Sequence, residues 1–225
     1  MKLGSHNTMT YLRPKVFWQR LLPFIGRCQS VDYKIQHSLG AVGYDLRLFW
    51  DDDGKLEYRH GFLRFPADNI DEVLSYAESN NIIVRVLLEV RSYNKLLVSN
   101  IDGLRSRFKA YCSDIEKKYP SILFFGGQES GSGEKLYTFK TETSGLAIDE
   151  LHSSVTSLFK SNNKFLRMID DLFPIIYSLI KNEKNISSYR NNKEKDNTYL
   201  YVDYIEIQWL VWRSKIERLE RVGLI

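Results

Sequence analysis

Apolar and polar positions along this chain follow two periods, and their alternation predicts the architecture. Residues 44–50 and 56–60 are rich in aromatic and branched side chains and flank Asp52, Asp53 and Gly54. That pattern predicts two strands joined by a tight acidic turn. The run IIVRVLLEV at 82–90 is almost continuously apolar, as expected of a parallel strand buried on both faces, and residues 122–125 read the same way. Helical periodicity marks 31–39, stopped by Gly40, and 70–79, whose first turn carries Asp71 and Glu72 as the helix dipole prefers. It also marks 104–119, halted by Pro120, and the strongly amphipathic stretch 164–181.

At the two ends, residues 1–12 predict a strand that breaks at Gly4 and Ser5, and residues 198–207 predict the last strand, followed by a closing helix over 209–221. Further elements are a strand at 136–141, a helix at 151–159 carrying His152, and solvated loops at 126–135 and 182–196. The loop GGQESGSGEK lacks the Gly-Lys-Ser/Thr ending of a phosphate loop and is read as mobile. Alternating helices and strands imply a parallel sheet, and the expectation is an α/β fold, a single distorted (β/α) barrel.

Composition adds bounds. With 225 residues and 43 % hydrophobic side chains, the chain can bury one sizeable core, so one domain over 1–225 is expected. The balance of 32 basic and 28 acidic residues, a net +4, is spread along the chain and does not imply a nucleic-acid partner. Cys28 and Cys112 form neither a disulfide framework nor a zinc motif, and both read as buried small hydrophobes. The polar run from Gly4 to Asn7 leaves no room for a signal peptide, so the sequence as written points to the cytoplasm. A leader ahead of Met1 would instead make the protein secreted or periplasmic. A monomer is expected.

Chemistry gathers on the first strands. Side chains two apart share a strand face, so Asp45 and Arg47 point one way while Tyr44, Leu46 and Leu48 point the other. An acid and a guanidinium on an otherwise apolar strand are costly to bury unless they are paired or used. His6 and Asn7 follow the break in the first strand, and His60 ends a strand beside Gly61. His37 lies on the polar side of its helix and is expected to face solvent.

The order GSHNT, then Gly40 through Asp45-Leu46-Arg47, then His60-Gly61 resembles the catalytic X domain of phosphatidylinositol-specific phospholipase C, bacterial type, over about the first third of the chain. The resemblance implies cleavage of a phosphodiester by the headgroup's own hydroxyl, with His6 as base, Arg47 as phosphate clamp and His60 as acid. The stretch from Val202 to Ile205 is similar to the family's last-strand motif, which implies that Asp203 orients His6. Asn7, Asp45, Glu89, Arg91, Lys95 and Tyr204 are further candidates for substrate contact.

Calcium-dependent relatives carry His-Asn at the first motif and acidic ligands at positions matching Asp45, Arg47 and Glu89. Asn7, Asp45 and Glu89 therefore form an alternative Ca²⁺ set. Arg47 stands where that metal would sit, and its repulsion of Ca²⁺ costs several kcal/mol at an effective dielectric of ~20. The expectation is a metal-independent site, with Asp45 and Glu89 bracing Arg47 and Asn7 bonded to phosphate or to His60. Two other readings stand beside it: a glycerophosphodiester-type phosphodiesterase, and a weakly catalytic barrel that binds a phosphorylated headgroup. The stretch 14–25, with Phe17, Trp18 and Phe24 between prolines, either closes the core or dips into a lipid surface beside Lys15 and Arg20.

Overall fold

A computed structural model describes residues 2–21, 27–90, 100–143, 149–152 and 198–206, together with Arg213 and Glu217. Strands β1 (Lys2–Ser5), β2 (Ala41–Trp50), β5 (Ile83–Leu88), β6 (Phe124–Glu129), β7 (Asp149–His152) and β8 (Thr198–Val202) pair in parallel in the order β6-β5-β2-β1-β8-β7. The antiparallel strands β3 (Leu56–His60) and β4 (Leu63–Pro66) extend from the far end of β2. The last strand thus pairs with the first. Among the described residues no pairing joins β6 to β7, so the sheet is open and a closed barrel is not what it displays.

Each face of the sheet follows from the strand period. Tyr44, Leu46 and Leu48 of β2 and Val84, Val86 and Leu88 of β5 enter the main core. There they meet Val73, Leu74 and Ala77 of α3 (Ile70–Ser79) and Leu104, Phe108, Cys112 and Ile115 of α4 (Ile101–Lys118). Helix α4 begins where the Asn100 side chain accepts the Gly103 N–H at 2.8 Å, and it ends with Lys117 and Lys118 against the negative end of its dipole. The shorter helices are α1 (Phe17–Arg20), α2 (Tyr33–Ser38) and α5 (Lys140–Thr143).

The opposite face is layered from apolar to charged. Ile83, Phe125 and Tyr201 form its floor. Gly4 makes room for Tyr201, since a Cβ there would lie 2.6 Å from the ring. One step further along the strands, the same face carries Asp45, Arg85 and Asp203, all 3 % exposed or less. Charge buried to that degree must be paired, and these side chains are.

Several sequence expectations change. Of the strand expected over 136–141, residues 136–139 are irregular chain and Lys140 and Thr141 begin α5, because the N–H groups of Leu136 and Tyr137 both bond the Gly127 carbonyl and close a tight turn. Leu151 and His152, expected to begin a helix, lie in β7 and pair with Leu200 and Tyr201 of β8. The first four residues of the 126–135 loop belong to β6, and Arg105 bonds both Glu129 and Glu134 there. His37 does not simply face water, since its Nδ1 lies 3.0 Å from the Tyr76 hydroxyl. The helices expected at 164–181 and 209–221 and the loop at 182–196 lie outside the described residues, apart from Arg213 and Glu217. No helix among the described residues is long and apolar enough to cross a membrane.

Candidate active site

Strand register assembles the site. Ser5 lies opposite Val202, so the next residues beyond them, His6 and Asp203, become neighbours across 197 positions of chain. The ladder continues one bond further, with His6 N–H donating to the Val202 carbonyl at 3.1 Å. Gln29, fully buried, fastens both strand ends by donating to the carbonyls of His6 and Val202 and accepting the Ile205 N–H. On the other side of β1, Ser5 lies opposite Tyr44. Thr8 Oγ1 accepts the Asp45 N–H at 2.8 Å, and Asp45 Oδ2 accepts the Asn7 N–H at 3.1 Å.

His60 arrives by a different route. β1 and β5 flank β2 on opposite edges, and β3 takes over the β1 edge from Leu48 onward. Running antiparallel, β3 brings His60 back toward the end of β1. The two imidazoles face each other edge to face, with ring centroids 6.2 Å apart and an interplanar angle of 78°. His6 is 7 % exposed, and His60 is partly open to solvent.

Partner chemistry fixes the protonation of His6. Its Nδ1 lies 2.7 Å from Asp203 Oδ1, a carboxylate that accepts, and its Nε2 lies 2.5 Å from Arg47 Nη2, which can only donate. The proton therefore sits on Nδ1, and the lone pair on Nε2 points into the site. Burial lowers the His6 pKa below the ordinary 6.5; Asp203 opposes this shift and Arg47 adds to it.

Arg47 is braced as a bridge. Its Nε meets Asp45 Oδ2 at 3.2 Å and its Nη1 meets Glu89 Oε2 at 3.3 Å. Burial works against the guanidinium charge, but Asp45 and Glu89 outweigh it and raise the Arg47 pKa. Glu89 is fully buried, and it also accepts the Gly61 N–H at 3.2 Å and the Ser130 hydroxyl at 2.5 Å. Gly61 has φ +61°, a backbone that glycine adopts without strain. The facing oxygens of Asp45 and Glu89 thus both hold a guanidinium. This donor set does not fit Ca²⁺ as it stands, because the ion would have to displace Arg47.

The other candidates fall in different places. The Asn7 side-chain nitrogen faces His6 Nε2 at 3.2 Å and Cys28 Sγ at 3.5 Å, so its contact is with the first histidine rather than His60. Tyr204 is not at an open rim: it is 3 % exposed, burial raises its pKa, and its left-handed backbone (φ +49°) is held by an N–H bond to the Cys28 carbonyl. Arg91 and Lys95 lie outside the described residues, as does Phe24.

Two residues of the site escaped the sequence reading. Arg85 lies with its Nη1 3.7 Å from Asp45 Oδ1. Its signal was a lone arginine inside an apolar run, a position that demands a partner. Cys28 is buried, as expected, but polar groups surround it. Its sulfur lies 3.7 Å from His60 Nδ1, between the two histidines, and burial pushes its thiol pKa well up.

No family model matches this chain, and no curated protein does. Among solved structures, phosphatidylinositol-specific phospholipase C from Listeria monocytogenes is similar, with a TM-score of 0.53 at 16 % identity, covering 92 % of this chain and 89 % of that one. Two variants of phosphatidylinositol-specific phospholipase C from Staphylococcus aureus score 0.47 at 12 % and 13 % identity, covering 90 % of this chain and 85 % and 84 % of theirs. At this identity the likeness speaks to architecture, and the chain has a fold similar to that of the Listeria phospholipase C.

Proposed function

We propose that this chain is a phosphodiesterase of the phosphatidylinositol-specific phospholipase C kind, acting on phosphatidylinositol or a related phosphodiester by histidine acid–base catalysis. The observation that carries the reading is the pair of facing imidazoles with a braced guanidinium bonded to one of them. His6 Nε2 removes the proton from a headgroup hydroxyl next to the phosphorus. That oxygen attacks, and Arg47 holds the charge that develops on the phosphorane oxygens. His60 then protonates the departing lipid oxygen. Asp203 keeps His6 in the tautomer that leaves Nε2 unprotonated, and Asp45 and Glu89 keep Arg47 aimed. We further propose that the fold is a distorted (β/α) barrel.

Product analysis tests this reading. Incubation with phosphatidylinositol vesicles, followed by phosphorus NMR, is expected to yield a cyclic inositol phosphate. A direct monoester would make water the nucleophile, and no phosphate product from any diester would remove the enzyme reading.

The rate depends on neutral His6, whose pKa lies below 6.5. A group with a lowered histidine pKa holds its active and stabilising form above that window. The acidic limb of the kcat/KM profile is therefore expected to inflect below pH 6.5, and the His6 contribution to stability is lost over the same fall in pH. An inflection above 6.5 contradicts the assignment.

The same proposal includes contact with a lipid surface. Phe17, Trp18, Leu21 and Phe62 are 71 %, 52 %, 64 % and 39 % exposed, and Trp18 stacks on Phe62 at 5.7 Å, two residues from His60. Buried Gln19 ties this patch to the β3–β4 turn through the Phe62 carbonyl and the Arg64 N–H. Lys15 is bonded to Glu57, and Arg20 to the carbonyls of Pro14 and Lys15. Apolar insertion rather than loose positive charge is thus the driving term. The double change Trp18→Ala, Phe62→Ser is expected to weaken vesicle binding about 30-fold, from roughly 2 kcal/mol of lost apolar burial. Turnover of a short-chain soluble substrate stays unchanged, and equal loss on both substrates would refute the docking role.

A further inference from the structure

Arg85 takes no step in the proposed reaction, yet it is paired with a residue that braces the phosphate clamp. Its neighbours Val84 and Val86 enter the main core, so the strand period turns Arg85 to the other face, where it is 2 % exposed. Parallel pairing sets it directly opposite Asp45, and its Nη1 lies 3.7 Å from Asp45 Oδ1. The guanidinium carbon lies 6.0 Å from the centre of the Tyr201 ring, at the edge of cation–π range. Stability alone does not call for this arrangement, because well-packed apolar side chains commonly serve a buried position as well as an ion pair does.

Asp45 is shared between two guanidiniums. Its Oδ2 meets Arg47 Nε at 3.2 Å and lies 3.7 Å from His6 Nε2, while its Oδ1 faces Arg85. Charge balance points the same way. Among the described residues, Asp45, Glu89 and Asp203 are three buried carboxylates, and Arg47 alone would leave two negative charges in excess where an anionic diester must enter. Arg85 brings the excess to one.

We propose that Arg85 is a positioning residue for this reaction: it holds one oxygen of Asp45 so that the other aims Arg47, and its charge offsets a carboxylate in a site that must hold an anion. Arg85 acts through Asp45, and its role rests on the phosphodiesterase reading. A consequence reaches the base. His6 is faced by Asp203 from the end of β8, by Asp45 and Arg47 from β2, by His60 from β3, and by Cys28 from the chain before α2; Glu89 bears on it through Arg47. The Cys28 thiol is kept protonated by burial. Removing the Arg85 charge leaves all of these groups in place and favours the imidazolium form of His6.

The test compares Arg85→Met with Arg85→Lys, both first checked by thermal unfolding; Arg85→Gln replaces the methionine variant if that one does not fold. His6 and Arg85 each lie 3.7 Å from an oxygen of Asp45, so at an effective dielectric of about 20 the lost charge shifts the His6 titration by about one pH unit. The acidic limb of kcat/KM in Arg85→Met is expected to move up by that amount. Above the limb, kcat should fall about 10- to 100-fold, as for a clamp set slightly out of place. Arg85→Lys keeps the charge and should keep the parental limb. Proton NMR of the His6 ring, assigned by its absence in His6→Asn, should show the same shift without substrate. Adding Asp45→Asn to Arg85→Met restores the net charge and should bring the limb back, which damage to packing would not do. An unmoved limb and His6 signal in Arg85→Met overturn the proposal, whatever happens to the rate, while turnover by the parent keeps the function. A parent that turns over no diester while its His6 signal still responds to Arg85 removes the function and the catalytic role with it, and leaves the coupling between the two residues standing.

Discussion

Replacing His6 by alanine is expected to lower kcat on a phosphodiester about 10⁴-fold, and replacing His60 about 10³-fold, within the range that positioned proton transfer contributes. His6 carries the larger effect because its surroundings prepare one state of one atom. Asp203 at 2.7 Å accepts the hydrogen bond from Nδ1–H, and burial favours the neutral ring, so Nε2 is ready to accept. The carboxylates of Asp45 and Glu89 also meet the Arg47 guanidinium, but they are engaged in bracing it. His60 is partly open, and water can replace some of its proton donation. Steady-state kinetics on variants whose thermal unfolding has been checked reads both effects. Full activity in His6→Ala would refute its role as base.

Arg47→Lys is expected to lower kcat about 10²- to 10³-fold, the size of effect seen when one donor to a developing charge is lost. An ammonium is a point charge. It cannot reach Asp45, Glu89 and His6 together as the planar fork does, so the charge that remains is misplaced. Arg47→Met has a second consequence. Asp45 and Glu89, 1 % and 0 % exposed, lose the cation between them. Breaking a buried ion pair from one side costs about 3–5 kcal/mol, so this variant should melt well below Arg47→Lys. Equal melting of the two would mean that the bridge does not hold the strand ends.

What could be read from the sequence followed from period and register. Alternation along β2 separates Asp45 and Arg47 from Tyr44, Leu46 and Leu48, and in the folded sheet the two sets lie on opposite faces. The bracing of Arg47 by Asp45 and Glu89, argued from charge repulsion, is likewise present as hydrogen bonds. Cys28 was illegible because it lies on irregular chain before α2, where no period indicates direction; only the fold shows that it reaches His60. Residues 136–141 read as a strand in the sequence, but the tight turn onto Gly127 leaves them outside any ladder, and only the preceding Lys135 makes a single bridge, with Gln128. Pairing with β8 overrides the helical look of Leu151 and His152, as tertiary contacts often override local preference.

The central claim is a division of labour: one imidazole takes a proton and the other gives one. A leaving group that needs no proton separates these roles. On an inositol phosphodiester carrying a nitrophenyl leaving group, His60→Ala should recover most of the parental rate while His6→Ala stays inactive. Equal and undiminished loss in both variants would contradict the assignment of acid and base.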